Sequence, residues 1–518
     1  YVGTATADGS GDWSLTGITT LTTSDKVTSL AIDGSSDTSE FGFNAVVVGP
    51  MVVNSTGDQS DILPGNGKCD AGVLNADNVE ACTLRAAIEE ANALPGADTI
   101  AFDIPTGDNG YSNSPVFFNI RLTSPLPTIY ESVTIDASPH PEHSVETRPV
   151  VVLDGSTLLA GENALSLDVG SDNSEVRGLV FSWIPGDAIF VESADDVTIA
   201  GNYVGTDATG TLDEADTWGI RIRNSDRATI GGTDTADRNI ISGHTYGVLI
   251  QMSSADARII GNYVGTDATG TAKLENRPYG VMITATGMGH VVGGSTPAER
   301  NVISGNMTGV FSSSAGVTIS GNYIGTDANG TGSLGNSFGI ALALGATGNT
   351  IGGTTAGERN VIAGNVGGAG IEIEDPATNA NTITGNFIGV DRLGAPLGTT
   401  VGSRVTDGAY SNTIGGTGAG EANTIAHNGS YGLQLRADAG ADNAILGNAI
   451  HSNGNLAINL GDDAVTPNDP GDADGEPGPN DYLNFPVITS SSYAGGKVTV
   501  DFDLDVRAGD YRIEFFSN

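Results

Sequence analysis

Four aspartates, Asp207, Asp267, Asp327 and Asp391, stand in closely similar surroundings. The first two sit inside GNYVGTDATGT, which runs from Gly201 to Thr211 and again from Gly261 to Thr271. The third sits inside GNYIGTDANGT at Gly321–Thr331. Two carboxylates roughly 5–10 Å apart are what a glycoside hydrolase uses as acid and base or nucleophile. Three arginines recur in the same manner, Arg238 in ADRN, Arg300 in AERN and Arg359 in GERN. A lyase acting on a uronate polymer needs such cations beside a base. A catalytic group, however, is ordinarily written once, whereas a phrase at fixed spacing describes a building unit. On that reading the aspartates bond the backbone of their own loops. The arginines pair with Asp237, Glu299 or Glu358, or bond turn carbonyls. Cation or glycan contact by the aspartates, and a polyanion-binding stripe of arginines, are the functional alternatives.

Other reactive residues are scattered. His140, His143, His244, His290, His427 and His451 share no spacing. His140 and His143, in SPHPEHS, read as a metal pair or, more simply, as solvated loop residues. No P-loop or HExxH phrase occurs. The segment from Gly461 to Asp481 gathers Asp462, Asp463, Asp469, Asp472, Asp474, Glu476 and Asp481 among glycines and prolines. Such carboxylates repel unless hydrated or bridged, so calcium is the one cofactor the sequence suggests, against a plain acidic linker. Asp58, Asp61 and Asp70 form a weaker second set. Cys69 and Cys82 fit a disulfide, which implies an oxidising compartment, or two buried thiols.

The elements that must hold these residues follow from the period. The aliphatic residue in successive short strands is Ile199, Ile230, Ile259, Val292, Ile319, Ile351, Ile383, Ile414 and Ile445. The unit is about 31 residues, and the echo at sixty positions is two units. Each unit carries three short strands broken by Gly and Asn, as in NTIGG, RNVIAGN and GIEIE. That pattern predicts one coil of a right-handed parallel β-helix, with stacked strands about 4.8 Å apart. Asn202, Asn262, Asn322 and Asn386 then stack at the turns and bond along the rod, as amide ladders do. No unit shows ten residues of helical periodicity, so a helical solenoid is excluded.

Composition narrows the partners. The net charge is −41, from 62 acidic and 21 basic residues. Nucleic acid and anionic membranes are therefore poor partners, since little is present to neutralise phosphates. No stretch approaches the roughly 18 apolar residues of a membrane span.

The ends differ from the middle. Thr83 caps a helix through about Ala93, with Leu84, Ala87, Ile88 and Ala91 as its apolar stripe. The segment from Val52 to Pro105, with CTLRAAIEEAN followed by GADTIAFDIP, resembles the CSLREA-type N-terminal module of bacterial surface β-helix proteins. The phrases IGGTTAGERNVIAGN and GNYIGTDANGT are similar to the repeats that follow it there. The resemblance implies the fold and export, and carries no catalytic residues. Residues 1–50 and 482–518 resemble the second and first halves of one immunoglobulin-like β-sandwich. The expected organisation is a half-sandwich at 1–50, a cap at 51–105, the β-helix at 106–460, an acidic linker at 461–481 and a half-sandwich at 482–518. Complementary halves suggest identical units joined head to tail, as separate subunits or one tandem chain. The functions that fit are a secreted surface fibre or adhesin, with surface glycans as further partners, or a carbohydrate-active β-helix enzyme.

Overall fold

A computed structural model describes residues 26–27, 45–46 and 49–515, except 216, 463–464 and 474–477. Three long sheets run along the molecule, of 13, 13 and 11 strands, and from Leu165–Leu167 onward each regular coil contributes one strand to each. Every pairing in the stack is parallel except at one edge of the second sheet, where Tyr111–Asn113 lies antiparallel to Val116–Arg121. Parallel strands joined by crossovers of constant hand make this a right-handed parallel β-helix.

Register follows from strand length. A three-residue strand such as Thr198–Ala200 points its middle residue inward. Ile199 therefore lies beside Ile230, and Ile230 beside Ile259. The column continues through Val292, Ile319, Ile351, Ile383 and Ile414 to Ile445. Ile199 through Ile414 are almost wholly buried. Burying each such side chain stabilises the stack by about 1.5–3 kcal/mol. A slip of one residue would turn the whole column outward.

The N-terminal end is closed by the helix Leu84–Ala93, whose N-cap Thr83 accepts a hydrogen bond from the Ala86 amide at 3.1 Å. Leu84, Ala87, Ile88 and Ala91 face the core of the first coils. Arg85, although charged, is buried: it pairs with Asp58 at 2.9 Å and donates to the carbonyls of Ser124 and Pro125. The buried Glu90 carboxylate accepts the amides of Gly65, Gly67 and Lys68. Cys69 and Cys82 form a disulfide, which ties this loop to the start of the helix.

At the other end the final coil comprises Ala444–Leu446, Ala449–His451 and Ile458–Leu460. Beyond it Val487–Ala494 and Lys497–Asp503 form an antiparallel hairpin, turned by Gly495 and Gly496 at positive φ. Of the stretch expected as a C-terminal half-sandwich, this hairpin is the regular structure described. Of residues 1–48, the described part is Lys26–Val27 paired antiparallel with Ala45–Val46; the rest of that expected half lies outside the described residues.

Candidate functional site

The repeated asparagines are consumed inside the rod. The Nδ2 of Asn202 donates to Oδ1 of Asn239, and the chain of bonds continues through Asn262, Asn301, Asn322, Asn360, Asn386, Asn423 and Asn448 at 2.8–3.2 Å. Each amide also satisfies the turn backbone. Asn322, for example, donates to the carbonyls of Val292 and Ser320 at 2.9 Å. Sequence spacing located the members at alternate coils and missed Asn239, Asn301, Asn360 and Asn423. The RN dipeptide before a valine or isoleucine is the signal for Asn239, Asn301 and Asn360, whereas Asn423 stands in EANTI without it. Two further ladders run along the other corners, Asn276–Asn306–Asn336–Asn365 and Asn349–Asn381–Asn412–Asn443.

The aspartates serve their own loops. Asp267 accepts the amides of Thr271 and Ala272 and the Thr269 hydroxyl, at 2.7–3.0 Å. Asp207 and Asp327 do the same with their equivalents, and Asp391 accepts from Leu393 and Ala395. Burial pushes the Asp207 and Asp327 carboxyls up, but the hydrogen bonds outweigh it and hold both below the ordinary range. A general acid needs the opposite shift.

These loops also answer why the phrase returns at sixty positions. The Ala268 amide donates to the Gly210 carbonyl at 2.8 Å, and Ala328 to Gly270 at 2.9 Å. Loops of alternate coils thus touch directly and form an outer wall with its own two-coil period. Gly270, at φ +68°, has no room for a side chain: a Cβ there would lie 2.6 Å from that of Ala328. The arginines bind this wall to the rod. Arg238, Arg300 and Arg359 lie 4.1–4.3 Å above the rings of Tyr263, Tyr323 and Phe387. Each Nε donates to a turn carbonyl of the next coil, from Gly261, Gly321 and Gly385. The turn-carbonyl alternative is the one found; Asp237 and Glu299 pair instead with Arg177 and Arg258.

His140 is not a solvated loop residue. It is 2% exposed, packs on the Phe118 ring and meets the Ile104 backbone through Nε2. Burial lowers the His244 pKa to about 4, so that ring is neutral inside the rod. In the acidic linker, Asp462 pairs with Arg436, Asp469 accepts the Ala473 amide and Asp472 the Asn484 amide. Asp481 lies in the turn Pro479–Tyr482, while Asp463, Asp474 and Glu476 lie outside the described residues. Asp58 is committed to Arg85, and Asp61 accepts the Leu63 and Asp70 amides. Among the described residues no three histidine, cysteine or acidic side chains converge as a metal site.

Two outward features bear on a glycan. A shallow groove of about 330 Å³ is lined by Lys273, Glu275, Asn306, Asn336, Ser337 and Val366. It holds one carboxylate, and its lysine already donates to the Gly335 carbonyl at 2.6 Å. On the third sheet Trp218, Tyr246 and Tyr279 stack along the axis with centroids 4.9 and 5.9 Å apart. Their faces cover one another and leave mainly edges for a sugar.

The fold defines a parallel β-helix protein. No family model matches the chain, and no curated protein matches it. Among solved structures it is similar to the A-module of the mannuronan C-5 epimerase AlgE6 of Azotobacter vinelandii, at 16% identity and TM-score 0.35, over 74% of this chain and 92% of that one. It is also similar to PfbA, a surface protein and adhesin of Streptococcus pneumoniae, at 12% identity and TM-score 0.35, over 79% of this chain and 100% of that one. Likeness this distant carries no argument about activity or partners.

Proposed function

We propose that the chain is an extracellular structural or adhesive protein, a rigid β-helical unit joined head to tail with identical units into a surface fibre or giant tandem-repeat adhesin. One observation carries the reading: the polar residues that recur along the rod are bonded to the rod itself. The asparagines bond neighbouring coils, the aspartates their own loops, and the arginines the coil beyond. A surface that repeats every two coils with its reactive groups occupied suits a spacer better than an active site. The disulfide supports an oxidising, exported setting. Surface glycans are the further partner this reading admits, and calcium in the 461–481 segment is its one proposed cofactor.

Electron microscopy of concentrated material, paired with an acidic-polysaccharide degradation assay in calcium, tests the proposal. Extended periodic particles and no sugar release are expected. Single rods that release unsaturated or reducing sugars would replace it with the carbohydrate-active alternative.

A further inference from the structure

The C-terminal hairpin has one mainly apolar face, and most of that face is exposed. Ile488 stands opposite Phe502, Ser491 opposite Val500, and Tyr493 opposite Val498, so these six share one side. The register shift between Ile488 and Ser490 leaves Thr489 unpaired and keeps Ile488 on the same side as Tyr493. The other side is mostly polar, with Ser490, Ser492, Lys497, Thr499, Asp501 and Asp503 beside Val487 and Ala494. Ile488 is 61% exposed, Tyr493 76% and Val498 68%. Phe502 alone has an aromatic neighbour, Phe515, at 5.7 Å. A two-stranded hairpin exposed on both faces is marginal in water and needs something over its apolar side. The base is nonetheless fixed to the rod, since Glu514 accepts the Gly447 amide at 2.9 Å and Asn484 donates to the Asp505 carbonyl.

The opposite end of the chain carries a matching fragment. Lys26–Val27 pairs antiparallel with Ala45–Val46, two strands without a third among the described residues. The sequence around that pairing is apolar, with Phe41 and Phe43 at alternate positions ahead of the run Ala45, Val46, Val47 and Val48. Chain geometry keeps this fragment from its own hairpin. Val46 is five residues from Met51, where the first sheet begins, so it lies within about 18 Å of the first coil. The hairpin projects from the last coil, and 13 strands at about 4.8 Å put that some 58 Å away.

Resting on the head-to-tail reading above, we propose that residues 26–48 of a second copy cover the apolar hairpin face, so that two antiparallel fragments from different copies close one two-layered β-domain. The hairpin brings Ile488, Tyr493, Val498, Val500 and Phe502, and the partner segment brings Phe41, Phe43 and the apolar run from Ala45 to Val48. Each rod carries one fragment at each end, so the contact propagates along a line instead of closing a ring on itself. The burial is apolar, which lets two strongly acidic chains associate, and raising the salt concentration strengthens the contact by screening their repulsion.

A photo-reactive benzoylphenylalanine replaces Tyr493 in the full chain, and equal amounts of light- and heavy-nitrogen protein are mixed, disassembled, reassembled and irradiated. The expected product joins residue 493 to a peptide within 26–48, with mixed-isotope pairs making up about half. Same-isotope pairs alone, or cross-links from hairpin to hairpin or to the side of a rod, would overturn the proposal. Microscopy of the same sample separates the two ideas. Filaments with cross-links elsewhere remove this contact and leave the end-to-end reading standing, whereas single rods at every concentration remove both. In a second test, Val498→Asp with Val500→Asp should weaken association about a hundredfold or more while the rod's far-UV melting curve stays in place. Filaments of unchanged length from that variant would also overturn the proposal.

Discussion

A single asparagine shows how side-chain chemistry becomes stability in this rod. Asn322 accepts from the Asn301 backbone and side-chain amides and donates to two carbonyls and to Asn360, with no exposure to water. Asn322→Ala strands several buried partners and should cost about 2–3 kcal/mol in urea unfolding followed by far-UV circular dichroism. Asp327→Ala, on the outer loop, should cost no more than about 1 kcal/mol by the same measurement. Asp98, in the cap, behaves in the opposite sense. Burial, then the charges of Glu90 and Glu131, raise its pKa from 3.8 to about 6. The folded chain therefore holds that proton more tightly than the unfolded chain does. Its favourable share is present below the unfolded value and is lost as pH rises through about 6. Asp98→Asn should raise the melting temperature at pH 7 but not at pH 4, a gain of about 0.5–1 kcal/mol once solvent screening is allowed for. A shift of equal size at both pH values would remove the carboxyl from the explanation. The ladder asparagines at alternate coils were legible because the GN phrase repeats verbatim. Asn239 and Asn301 were not, because loops of different length precede the two kinds of coil and hide a column that is regular only in space.

Within the elements, the outer wall depends on glycines that packing and backbone both require. Gly270 lies against Ala328 at positive φ, whereas Gly394, also at positive φ, has nothing within 4 Å of its would-be Cβ. Gly394→Ala should cost only the conformational penalty, about 1 kcal/mol. Gly270→Ala adds the displaced loop and should cost about 2–3 kcal/mol in the same unfolding assay; equal losses would show that the loops do not bear on one another. The strands, their inward aliphatics and the capping helix from Thr83 could be read from periodicity and capping chemistry. The loop-on-loop bonds could not, because they join residues two coils apart through backbone atoms that leave no pattern in side-chain identity. The arginines were read as ambiguous for a related reason. Their aromatic partners, Tyr263, Tyr323 and Phe387, belong to the next coil and are found only once the stack is built.

For the whole molecule, charge and length are the governing quantities. Sixty-two acidic residues on one rod repel along its length and between rods. If calcium bridges the 461–481 carboxylates, chelation with EDTA should lower the melting temperature and shorten the filaments, with the effect concentrated at the C-terminal joint. A thermogram unmoved by EDTA would leave that segment as a simple acidic linker. The outer wall sets one last condition, on growth. Because each large loop leans on the loop two coils away, the smallest piece that can be excised without mismatch is a pair. Cutting Gly201–Ile260 would join Ala200 to Gly261 and restore the phrase seamlessly, while losing a lone coil would set a long loop against a short one. The gene can thus lengthen or shorten this spacer by duplication and deletion only in strides of about 10 Å, and natural relatives should differ by even numbers of turns.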